Sequence, residues 1–105
     1  MSETKSLPTL VKEIVFFYVK YYYNKYNEDN DIQTMNDEHI NKFITQYYTE
    51  KQQEMKDYIR KSLRKNLGDD YNSIAVENII LELFADEDMG KERIRLEIVD
   101  FQNNS

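Results

Sequence analysis

The side chains best suited to chemistry in this sequence are cations repeated every four residues. Lys56, Arg60 and Arg64 keep that spacing, with Lys61 and Lys65 beside them. On a helix this makes one basic stripe, a pattern that neutralises nucleic-acid phosphates. The plainer reading is a solvated helix face tied by pairs such as Asp57–Lys61. Candidates for catalysis are few. His39 is the sole histidine, at an expected helix start, and cysteine is absent, so thiol chemistry and Cys/His zinc sites are excluded. Gly68 and Gly90 stand alone, which leaves no Gly-rich phosphate loop. With 20 acidic residues in the chain, a pair of carboxylates carries no information about acid–base catalysis. Asn27, Asp29, Asp31 and Glu38 fall at positions 1, 3, 5 and 12 of a calcium-loop pattern. Ile32 stands where that turn demands Gly, and Thr34 replaces an apolar anchor. The expectation is no catalytic site, no metal, no cofactor and no small-molecule substrate.

The second concentration of chemistry is aromatic. Residues 14–26 hold seven rings, namely Phe16, Phe17, Tyr18, Tyr21, Tyr22, Tyr23 and Tyr26. Large rings dominate core and interface energetics, and this is more ring surface than one face of a short helix needs. At about 100° per residue, Leu7, Val11, Ile14, Val15, Tyr18 and Tyr22 share a face. Phe17 and Tyr21 widen it, and we expect both to lie in the core. Phe16, Val19, Tyr23 and Tyr26 form a second stripe beside it, either buried inside a fold built around this helix or the candidate surface for a protein partner or a second copy.

These residues must be positioned by helices. The chain of 105 residues has two Gly and one Pro, a scarcity of breakers that favours long helices. We expect a single all-α domain over 1–105, a compact bundle of three to five helices with disordered tails at 1–5 and 103–105. The first helix should start near Ser6 with Pro8 in its first turn, followed by an acidic loop over 27–35. A second should start near Asn36. Whether 36–67 is one helix with a solvated middle or two meeting near Thr49 is left open by the pattern. Gly68 is a stop signal, Ser73 an expected N-cap, and 86–90 an expected loop. Over 91–102, alternation of Ile94, Leu96 and Ile98 suggests a strand, while Ile94, Ile98 and Phe101 fit a helix face, which we favour because a lone strand lacks a partner.

Charge is blocked along the chain. The net charge is -6, with acid concentrated at 28–38 and 68–90 and base at 51–67. An acidic whole argues against general nucleic-acid affinity, though the basic block keeps it open. No apolar run approaches the roughly 20 residues of a membrane span, and the start lacks a signal-peptide pattern, so the expectation is an intracellular protein, cytoplasmic or nuclear. Residues 36–84 resemble the C-terminal domain of the DEK chromatin protein through Asp37-Glu-His-Ile40, Tyr58-Ile-Arg-Lys-Ser-Leu63, Leu67-Gly68 and Ile79-Ile80. That resemblance implies a small DNA-binding helical module. The leading expectation is instead a non-enzymatic protein–protein interaction module, a homo-oligomer or accessory subunit, docking through Phe16, Val19, Tyr23 and Tyr26. The alternative is a helix-turn-helix-like nucleic-acid module using Lys56, Arg60, Lys61 and Arg64.

Overall fold

Five α-helices and no strand make up the described residues, 6–104, of the computed structural model. The expected tail at 1–5 and residue 105 lie outside them. Helix α1 (Leu7–Asp29) begins where Ser6 accepts a hydrogen bond from the Thr9 amide, with Pro8 in the first turn. It runs three residues into the expected acidic loop before turning at Asn30 and Asp31, the latter in the left-handed region at φ 54°. Helix α2 (Asp37–Ile44) opens on a reciprocal cap between Asn36 and His39, and its first turn carries Asp37 and Glu38, which suits the positive end of the helix dipole.

Residues 36–67 form two helices. α2 passes into a π-helical segment, Thr45–Thr49, whose wide turn closes when the Glu50 amide donates to the Thr45 carbonyl. Helix α3 (Gln52–Leu67) follows and stops at Gly68, whose φ of 54° suits a residue without Cβ. Three ring pairs, Tyr18–Tyr58, Tyr22–Tyr47 and Tyr26–Phe43, rise in α1 as they fall in its neighbours. The α2–α3 arm therefore runs antiparallel to α1.

Helix α4 (Ser73–Ala85) is capped one residue earlier than expected. Asn72, in extended geometry, accepts from the Ala75 amide, and Ser73 is already helical. Helix α5 (Glu87–Asn103) absorbs most of the expected loop. Asp86 caps it by accepting from the Met89 amide, Glu87 and Asp88 fill its first turn, and Gly90 lies inside it. Glycine is required there by a close approach, since a Cβ would fall onto the Tyr48 phenol. The segment 91–102 is thus helical, and Asn103 and Asn104, expected in a tail, close α5 and cap it. The core follows α1, with Ile59, Leu63, Val76 and Ile98 among its most enclosed side chains.

Candidate docking surface

The two aromatic stripes of α1 meet different fates. Val19 is 1% exposed and Tyr26 7%, so both lie inside the fold. Phe16 is half-buried, its ring 5.1 Å from Phe101 of α5 and nearly perpendicular to it. Tyr23 packs on the same Phe101 ring at 5.4 Å and donates to Gln102 Oε1 at 3.2 Å. Gln102 also accepts from the Met35 amide at 2.6 Å and donates to the Met35 carbonyl, locking the loop before α2 onto α5. Tyr26 stands edge-on to Phe43 at 5.8 Å. The rings expected at the surface therefore contact the chain's own helices, Phe16 and Tyr23 against α5 and Tyr26 against α2, and Val19 is enclosed.

The open side of α1 lies elsewhere. Phe17 and Tyr21, expected in the core, are each 61% exposed, and Tyr58 of α3 is 40% exposed. With the buried Tyr18 and half-buried Tyr22 they line a groove of about 440 Å³ between α1 and α3. Its rings pair at large mutual angles: Tyr18 with Tyr22 at 4.7 Å and 52°, Tyr18 with Tyr58 at 5.3 Å and 56°, Tyr21 with Tyr22 at 5.0 Å and 88°. The Tyr18 hydroxyl is buried without a hydrogen-bond partner. Burial holds its pKa well above the usual phenol range, and nearby Tyr22 and Glu54 raise it further. A sequence signal for this exposure did exist. Phe17 and Tyr21 continue at helical spacing into Asn24 and Glu28, so their stripe turns polar before the helix ends.

Phe17 also borders a second groove, between α1 and α5, with Lys12, Glu13, Phe16 and Glu97. Burial pushes the Glu97 carboxyl up to about 7, against the opposing pull of Arg93. One of its oxygens, Oε2, is buried without a partner. Sequence reading passed over Glu97 because a single acid among many carries no pattern.

The basic stripe is largely turned onto α4. Arg60 forks onto Glu77, Nε to Oε2 at 2.8 Å and Nη2 to Oε1 at 2.7 Å, and its Nη1 reaches Asp57 Oδ1 at 2.8 Å. This pairing lowers the Glu77 carboxyl and raises the guanidinium. Lys56 lies over the Phe84 ring at 5.1 Å and Arg64 over Tyr71 at 5.2 Å. Lys61 and Lys65 are exposed. The helix after the turn, α4, presents Ile74 and Leu81 to solvent and carries Glu77 and Glu82 but no base.

The calcium-loop pattern is not held as a loop. Asn27 and Asp29 belong to α1, and Glu38 pairs with Lys42 at 3.2 Å. Among the described residues no group of three His, Asp or Glu side chains could hold a metal ion. His39 accepts from the Asn36 amide as part of the α2 cap. Among the described residues no helix is long and apolar enough to cross a membrane. Compared with known proteins, the chain matches no family model, no curated protein and no solved structure.

Proposed function

We propose that this chain is a non-enzymatic helical interaction module that docks a protein partner over the open side of α1, through Phe17, Tyr21 and Tyr58. The observation that carries the reading is the gathering of three solvent-facing rings around one groove, while the neighbouring rings of α1 are covered by α2 and α5. Tyrosine-rich patches free of central charge are the usual seat of binding energy in protein interfaces. On this reading the docking element is the aromatic first helix, with the contact at Phe17 and Tyr21 in place of Phe16, Val19, Tyr23 and Tyr26.

The test is affinity purification of tagged wild-type and Phe17→Glu chains from native cells with nuclease treatment. A stoichiometric partner that survives nuclease and is lost with Phe17→Glu supports the reading, provided far-UV helicity is unchanged. A partner kept by Phe17→Glu overturns it. A partner lost with nuclease moves the assignment to the basic stripe of Lys56, Arg60, Lys61 and Arg64.

A further inference from the structure

A second unpartnered face of this fold belongs to α4. Its sequence is the most apolar of the five helices, yet only Val76 and Ile80 in it are fully buried. A helix apolar on most sides is ordinarily enclosed. Here Ile74 is 74% exposed and Leu81 72%, the most exposed large apolar side chains among the described residues. Together with Asn78 and Ala85, also exposed, they recur at spacings of four, three and four. That is the alternation of a coiled-coil seam, with Ile74 and Leu81 at d positions and Asn78 and Ala85 at a positions. At 1.5 Å per residue the seam runs about 17 Å along the helix, and its complement is another helix.

The charges around the seam select which helix. Residues 68–90 hold seven acidic groups and no base. On one flank Glu77 is held by the fork of Arg60, and Lys56, which borders that flank from α3, lies on the Phe84 ring. On the other flank Glu82 makes no ion pair among the described residues. A second copy of α4 is a poor occupant in either direction. Parallel pairing sets the g position, Glu77, against the e position, Glu82, of the other copy on both sides of the seam. Antiparallel pairing sets Asn78 against Leu81 and leaves the hydrogen bonds of a covered amide unmade. Either way an acidic segment is laid on its own like. A helix with basic flanks meets neither objection, and Asn78 fixes its register by asking for a hydrogen-bonding side chain opposite.

We propose that the solvent face of α4 receives one amphipathic helix of a protein partner, with apolar residues over Ile74 and Leu81, a hydrogen-bonding residue opposite Asn78, and Lys or Arg beside Glu82. This surface shares no residue with the groove of Phe17, Tyr21 and Tyr58, so it stands independently of the docking reading above.

The test uses the intact chain and two labelled, capped peptides of three heptads, followed by fluorescence anisotropy. Both peptides carry Leu along the seam and Asn at its central a position. One has Lys at the flanking positions and the other has Glu. The expected result is saturable binding of the Lys peptide at roughly 10–100 µM, with the Glu peptide at least about tenfold weaker. Ile74→Ser and Leu81→Ser should each weaken the Lys peptide about tenfold while melting like the wild type. Glu82→Lys should weaken the Lys peptide and strengthen the Glu peptide, and Phe17→Glu should change neither. Equal binding of the two peptides overturns the proposal, as does the absence of saturation by about 1 mM. Undiminished binding to Leu81→Ser, or loss of binding with Phe17→Glu, shows that the peptide sits elsewhere and also overturns it. Sedimentation equilibrium of the chain alone supplies the remaining outcome: a dimer that is lost with Leu81→Ser gives this face to a second copy and ends the proposal.

Discussion

Two stripes of the same helix, built from the same residue types, end in opposite surroundings. Val19 is enclosed, and Phe16, Tyr23 and Tyr26 are met by Phe101, Gln102 and Phe43. Phe17 and Tyr21, one position round the helix from Phe16 and Val19's side, face solvent beside Tyr58. Hydrophobicity does not separate them. The side that α5 covers becomes interior, and α5 lies about 80 positions away along the chain. Burial of an aromatic side chain on α1 is thus decided by the helix that covers it, and exposure marks where none of the described helices arrives.

The sharpest way to break the comparison is to charge both sides. Val19→Asp places a carboxylate where the native side chain is 1% exposed, and the folded state should lose about 4 kcal/mol or more. Urea unfolding measures this, and a stability near that of the wild type would refute the sealed assignment. Gln102→Leu attacks the same side through its clamp. It strands the Met35 amide and the Tyr23 hydroxyl, and should cost about 2 kcal/mol in the same assay.

Glu97 sits at the border, lining the groove shared by Phe16 of one stripe and Phe17 of the other, so its effect is expected to depend on pH. Its folded value of about 7 lies above the ordinary 4.5. Below that ordinary value the carboxyl is neutral in both states and costs nothing. Between the two, the unfolded chain releases a proton that the folded chain keeps, so stability falls as pH rises. Above about 7 the full penalty stands. Glu97→Gln should flatten that slope and stabilise the fold at pH 8 by on the order of 1–2 kcal/mol, with little change at pH 4. Thermal melts across this range would show the opposite if the carboxylate were stabilising. The smallest effect belongs to the open side: Phe17→Glu should shift stability by no more than about 0.5 kcal/mol, which calorimetry can set against Val19→Asp.

Local signals in the sequence located most helix ends. Ser6 with Pro8, Asn36 with Asp37, and Gly68 act within one turn of chain, and each lies at a terminus in the structure. The start of α5 was hidden because 86–90 has the composition of a loop. The residue that makes a helical Gly90 worthwhile, Tyr48, lies in the π-helical segment. Asn72 outcompetes Ser73 as a cap by adopting the extended backbone that a cap requires. The site was legible only as a region. Periodicity identified α1 as carrying surplus rings, but choosing between its two stripes needed the place of α5. The basic stripe likewise reads as free until Glu77 and Phe84 of α4 are seen against it.

The π-helical segment Thr45–Thr49 has a consequence for the gene as well as for the fold. Its wide turn sends Tyr47 toward Tyr22 of α1 and lets Tyr48 stack on Phe84 of α4 at 5.7 Å. An ordinary helical turn would close one residue sooner, and each residue of helix rotates a side chain by about 100°. In-frame loss of a single codon here would remove the residue that the wide turn absorbs, so an ordinary helical turn could close in its place with the flanking side chains kept in phase. Such a deletion, which in an unbroken α-helix would rotate everything that follows by about 100°, would at this place fall first on the contacts of Tyr47 and Tyr48.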